Sequence, residues 1–187
     1  LFRSPLVSCL HNFHYFEDNG VEPDYYVTLD AGDITLSEVA EGGSKSLDEY
    51  LELSKNRTLL AYIGASPKLI KSWKGKILWY NSPVPDQEVL DKMADLEQFH
   101  TQVSTGGNVL GACFYIAKGI MGANPVVFVG ADFCFSYDNK FHAWDSQYDK
   151  DLGNYMRTID VFGNSVKTRN TAAPIVKPTL ETVIDRK

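Results

Sequence analysis

A few groups of residues in the 187-residue chain have the types and spacing for ligand chemistry. Ser104-Thr105-Gly106-Gly107-Asn108 precedes a run of small and apolar residues that reads as a helix. Backbone N–H groups there, with the positive end of the helix dipole, would face a phosphate or carboxylate. The competing reading is that Ser104 or Thr105 caps the helix and the glycines turn the chain, since no P-loop lysine follows. Asp30 and Asp132 each come directly after an apolar strand-like run. In an open parallel sheet that position is the ligand-binding rim, where carboxylates hold Mg²⁺, accept ribose hydroxyls or move protons. Taken singly, either aspartate equally suits a turn. His142, in the segment Phe141-His142-Ala143-Trp144, has the intrinsic pKa for a general base near neutrality, and the alternative is a surface or aromatic-stacked imidazole. His11 and His14 share a helical face, but a zinc site needs further ligands absent from their vicinity, so they are assigned to packing and no metal site is expected. Tyr137, Tyr148 and Tyr155 could stack on a base or sugar, although loop aromatics more often cover a core.

These groups need a scaffold, and short apolar runs alternating with amphipathic helix-length segments supply one: β-α repeats forming a mostly parallel sheet. Strands are expected at Ser4–Cys9, Tyr25–Leu29, Thr58–Ile63 and Lys76–Tyr80. Helices are expected at Asn12–Asp18, stopped by Asn19-Gly20, and at Ser44–Ser54, with Ser46 and Glu49 spaced as a capping box. Another opens at Ser66-Pro67, and an acidic one spans Asp86–Gln98 after a proline-punctuated loop. Gly106–Gly122, apolar nearly all round, predicts a buried helix, and Pro125–Gly130 a central strand covered on both faces. Phe133–Asp151 reads as a long functional loop. A strand or turn near Thr158–Phe162, a Gly163-Asn164 turn and a helix from about Pro178 to Asp185 complete the pattern. The fold class expected is α/β, a single Rossmann-like three-layer domain over residues 1–187.

Composition narrows the partners. With a formal charge of -6, a pI near 5.2 and no basic run, the chain lacks the lysine and arginine clusters that bind nucleic-acid backbones. Cys9, Cys113 and Cys134 are odd in number, lack CxxC spacing and lie among apolar residues, which suits buried thiols in a reducing cytoplasm. No apolar run is long enough to span a membrane. Leu1-Phe2-Arg3 has no initiator methionine and runs at once into an apolar segment, so the expectation is a piece of a longer chain with other domains.

Larger patterns carry a family resemblance. NGVEPDYYVTLD, STGGNVLGACFYIAKGIMGANPVVFVGADFCFS, FHAW and DVFGNSVKT together resemble the MptE-like 6-hydroxymethylpterin diphosphokinase family across most of the chain. That resemblance implies one of two activities: pyrophosphorylation of a hydroxymethylpterin with ATP and Mg²⁺, or, as in the motility accessory factors, transfer of a nonulosonic sugar from a CMP-activated donor to a small-molecule or protein acceptor. By resemblance Asp30 matches the acidic end of the PDxxVTxD strand, Gly106 and Gly107 the glycine turn, and Asp132 the G-x-D after the central strand. His142 and Gly163–Thr168 match features of the accessory-factor branch, which favours the glycosyltransferase. The family's initial strand and G-x-G-P-S nucleotide loop have no counterpart here, so a chain limited to these residues is expected to be impaired in binding or turning over a donor.

Overall fold

The computed structural model describes residues 4–82, 91–92, 102–105 and 108–131, and the backbone of 155–159 and 165–169. By contacts the chain divides into two compact units, Leu1–Val126 and Val127–Lys187. The first is built on four strands, β1 (Val7–Cys9), β2 (Tyr25–Thr28), β3 (Thr58–Tyr62) and β4 (Lys76–Tyr80), all parallel and side by side in chain order. Register is continuous across them: Val27 lies beside Cys9 and Leu60, and Leu60 beside Leu78.

Each strand pair needs a crossover, and right-handed crossovers between strands added in one direction place their helices on one face. That face holds α1 (Phe13–Asp18), α2 (Ile34–Glu38), α3 (Leu47–Leu53) and α4 (Pro67–Ser72). Side chains alternate along a strand. Tyr26, Leu59 and Ala61 therefore join Phe13, Tyr50, Leu51, Leu69 and Trp73 in one core, while Val27 and Leu60 point to the other side. The aromatic centre is tight, with Phe13 4.8 Å from Tyr26 and 5.3 Å from Trp73 between ring centroids. Full burial of such side chains contributes about 1.5–3 kcal/mol each.

Local signals set the helix ends as predicted. The Ser46 hydroxyl accepts from Glu49 N–H at 3.4 Å, and Glu49 carboxylate accepts from Ser46 N–H at 2.8 Å, the reciprocal capping box. Ser66 caps α4 with Pro67 in its first turn. Gly20, after α1, has φ +66°, the left-handed conformation that ends a helix. Arg57 grips the buried Glu17 through two hydrogen bonds of 2.6 and 3.0 Å, fixing the start of β3 to α1.

The opposite face carries α5 (Val109–Tyr115), whose Ala112 and Cys113 pack with Val27, Leu60, Tyr80 and Val103. Helices on both faces of a parallel sheet make this an α/β, three-layer fold, as the alternation of apolar runs predicts. Two expectations are corrected here. The helix predicted over Gly106–Gly122 begins at Val109, gives way to a π turn at Ile116–Ile120, and is buried along one side only, with Tyr115, Ile120 and Met121 exposed. Pro125–Gly130 forms no strand: Val127 and Val129 are 79% and 90% exposed. An apolar run becomes a doubly covered strand only beside hydrogen-bonding neighbours, and this one is a member of neither described sheet.

In the second unit β5 (Tyr155–Ile159) and β6 (Ser165–Arg169) pair antiparallel, so the strand expected near Thr158 is present and starts three residues earlier. The helices expected at 86–98 and 178–185 and the loop at 133–151 fall mostly or wholly outside the described residues; of the first, Asp91 and Lys92 are helical.

Candidate functional site

The carboxyl ends of all four strands lie on one edge. β2 delivers Asp30, exposed two residues after the strand, and its carbonyl accepts from Ser66 N–H at 3.2 Å, joining that turn to the start of α4. β4 delivers Tyr80, Asn81 and Ser82, all buried. Beside them the chain returns at Gln102, which pairs in parallel with Asn81, and Val103 N–H donates to the Asn81 carbonyl at 2.7 Å. Ser104 is then exposed and Thr105 buried. The chain thus runs from the β4 side of the edge to α5, which rests on β1 and β2.

The expected anion site before the helix changes character. Asn108, not Ser104 or Thr105, is the N-cap: its Oδ1 accepts from Gly111 N–H at 2.8 Å, so that amide is taken. The glycine that matters here is Gly111, because a Cβ on it would lie 2.0 Å from the Thr105 carbonyl oxygen. Gly106, Gly107, Asp132 and His142 lie outside the described residues, as do Tyr137 and Tyr148. His11 and His14 pack edge to face at 6.5 Å, and His14 makes a second such contact with Tyr50, in keeping with the packing role expected of them.

Asn81 is the group that sequence reading missed. Its Oδ1 accepts from Ser82 N–H at 2.9 Å, which turns Nδ2 the other way, and Nδ2 is fully buried with no hydrogen-bond partner among the described residues. Leaving a buried amide donor unmatched costs about 1–3 kcal/mol, so such a group calls for an acceptor from elsewhere. A polar residue directly after an apolar strand was the signal that selected Asp30 and Asp132; applied to Lys76–Tyr80 it selects Asn81.

Tyr80 ties the edge together. Its hydroxyl donates to the Thr28 carbonyl at 2.9 Å. Burial pushes its acidity well out of the ordinary tyrosine range, reinforced by the neighbouring groups Cys113, Asp30, Tyr62 and Cys9. Cys9 ends β1 and its Sγ lies 4.0 Å from Sγ of Cys113 on α5. Of the three thiols expected to be buried, two are thus in contact, Cys113 buried and Cys9 partly so, and Cys134 lies outside the described residues.

Comparisons with known proteins agree with this architecture. No curated protein matches the chain. Among solved structures, the MAf glycosyltransferase from Magnetospirillum magneticum AMB-1 superposes with a TM-score of 0.64 at 16% identity, over 98% of this chain and 26% of that one. The present chain therefore spans about a quarter of that protein's length, and the likeness is one of fold. No helix among the described residues is long and apolar enough to cross a membrane. The family profile described as 6-hydroxymethylpterin diphosphokinase MptE-like matches residues 3–138, a stretch that takes in all four parallel strands and α5, and on that match the chain belongs to the MptE-like family.

Proposed function

We propose that the chain is the nucleotide-binding part of a glycosyltransferase whose donor is a CMP-activated nonulosonic sugar. The observation that carries this reading is the buried Asn81 Nδ2 on the carboxyl edge, unmatched among the described residues, on an edge where Ser82 and Thr105 are also buried. Neutral donors and hydroxyls suit the carbonyl and hydroxyl acceptors of a nucleoside or sugar. Asp30 and Asp132 orient donor and acceptor, and the Ser104–Asn108 segment, with Gly106 and Gly107, borders the nucleotide. His142 takes the proton of the acceptor hydroxyl as that oxygen bonds to the anomeric carbon. The bond from that carbon to the phosphate oxygen breaks, and CMP leaves. The fold likeness to a glycosyltransferase supports this reading without fixing the donor.

A diphosphokinase is the second reading, favoured by the family's description. In it Asp30 and Asp132 would hold Mg²⁺ and ATP would supply the transferred group. A third, a noncatalytic nucleotide- or sugar-binding module, follows from the rule that fold does not fix chemistry. Calorimetric titration of CMP, ATP and GTP into the full-length protein, with and without Mg²⁺, separates them. Metal-independent CMP binding is the expected result; Mg²⁺-dependent ATP or GTP binding would replace it with the kinase. Binding of CMP without turnover of a CMP-sugar would leave the module. His142→Ala should abolish transfer and retain CMP binding, and undiminished transfer would remove that histidine from the mechanism.

A further inference from the structure

We propose that Cys9 and Cys113 form a peroxide-sensitive dithiol whose oxidation ties β1 covalently to α5 and so fixes the carboxyl edge of the sheet. Their sulfurs are already in contact at 4.0 Å, although 104 positions separate them in sequence. Closing to a bond length of about 2.05 Å needs a shift of roughly 2 Å, shared between two side chains and a short helix. The two sulfurs differ in the ways the chemistry requires. Cys9 is partly open to solvent, so a small peroxide can reach it, while Cys113 is 5% exposed and shielded.

Ionisation follows the same asymmetry. Either sulfur can donate across the 4.0 Å contact, and the arrangement that fits the burial of the two has Cys113 donating, which favours the thiolate of Cys9, while that contact and burial hold the proton on Cys113. The thiolate is the attacking species. It attacks one peroxide oxygen, the O–O bond breaks, and hydroxide leaves as Cys9 becomes a sulfenic acid. The Cys113 sulfur then displaces the sulfenic oxygen, which departs as water with the Cys113 proton. The net change is two thiols oxidised by two electrons and one hydrogen peroxide reduced to two waters.

The position of the bond gives it a consequence. Cys113 lies on the helix capped by Asn108 and seated against the Thr105 carbonyl, and Cys9 ends the strand beside β2. A bond between them holds α5 and the segment leading into it against the sheet, whatever ligand the edge takes.

The full chain has three cysteines, so the experiment has an internal control in Cys134. The protein is treated with hydrogen peroxide, alkylated, digested and mapped by mass spectrometry without reductant. The expected product is a Cys9–Cys113 cross-linked peptide, lighter by two hydrogens, reversed by dithiothreitol, with Cys134 still alkylated. Oxidation raises the thermal midpoint by roughly 5–10 °C and slows amide exchange at Gly111 and Ala112. In Cys113→Ser, dimedone captures a sulfenic acid at Cys9; in Cys9→Ser, Cys113 stays reduced. Cross-links through Cys134 in place of Cys113, an unoxidised Cys9, or a cross-linked chain with no gain in midpoint would each overturn the proposal. Cys9→Ala and Cys113→Ala repeat the mapping should either serine variant fail to fold.

Discussion

The two faces of the sheet are built differently. The face under α1–α4 is closed by a stack of Phe13, Tyr26, Tyr50 and Trp73, by the buried Arg57–Glu17 pair and by caps on α3 and α4. Among the described residues the face under α5 is covered by that helix, the π turn after it and the segment around Val103, and it carries a thiol pair and a buried tyrosine hydroxyl. Large aromatic rings and an ion pair hold the first face, and the thiol contact lies on the second; buried unmatched nitrogens, His14 Nδ1 and Trp73 Nε1, occur on the first face as well. The contrast is therefore one of packing, with the face covered by a single short helix the easier to open.

The separation can be broken experimentally. The largest effect expected is from Arg57→Ala, which leaves the Glu17 carboxylate, 4% exposed, without its cation and with the long 3.4 Å hydrogen bond from the Tyr26 hydroxyl. Loss of about 3–5 kcal/mol in a denaturant titration is expected, with amide exchange in α5 unchanged relative to global stability. Exchange in α5 rising more than the global loss explains would mean that the faces are one cooperative unit. Next is Gly111→Ala, whose added methyl meets backbone rather than a movable side chain. About 1–3 kcal/mol should be lost, and the Cys9–Cys113 contact should open, read as faster alkylation of Cys113. Ser46→Ala removes the hydroxyl half of the capping box, while the backbone N–H of that position keeps its bond to Glu49, and should cost about 1 kcal/mol, leaving thiol alkylation rates as they were.

The smallest effect is electrostatic and belongs to the first face. Burial works against the Asp18 carboxylate, but hydrogen bonds from Lys45, Tyr50 and Ser44 overcome it and hold the group below the usual carboxylate range. A depressed acid contributes stability that is complete above its unfolded pKa of about 3.9 and is lost as pH falls through the lower folded value. His14 acts in the same direction at higher pH: burial, then the charge of His11, lowers its pKa. The folded state therefore disfavours imidazolium as pH drops below about 6.5. Asp18→Asn should flatten the stability curve below about pH 4 and leave the shoulder near pH 6 in place. An unchanged acid limb would remove Asp18 from the account.

How far the sequence was legible follows the range of the interactions. Ser46 with Glu49, Ser66 with Pro67, Gly20 after Asp18, and the strand Lys76–Tyr80 are set within a few residues, and each stands where its local chemistry put it. The Asn108 cap was hidden by two equally good candidates four and three residues earlier, and the choice rests on where Thr105 and Gly111 meet. Pro125–Gly130 reads as a strand because it is apolar, yet a strand is a pairing, and pairing is not written in the segment itself. The Cys9–Cys113 contact spans most of the first unit, and no spacing rule reaches that far. Asp30 reaches the edge two residues after β2, while Asn81, directly after β4, reads in the sequence as the start of a proline-punctuated loop.

The strand order has a further meaning for how the chain is made. Because β1, β2, β3 and β4 are neighbours in space in the order of synthesis, each β-α unit can dock on the edge left by the one before as the ribosome releases it. α5 breaks that rule, returning across β1 and β2 only after all four strands have emerged. The nascent first unit therefore has its four-strand scaffold in place while the face that α5 covers is still bare, and the closing of that face comes after the sheet is formed.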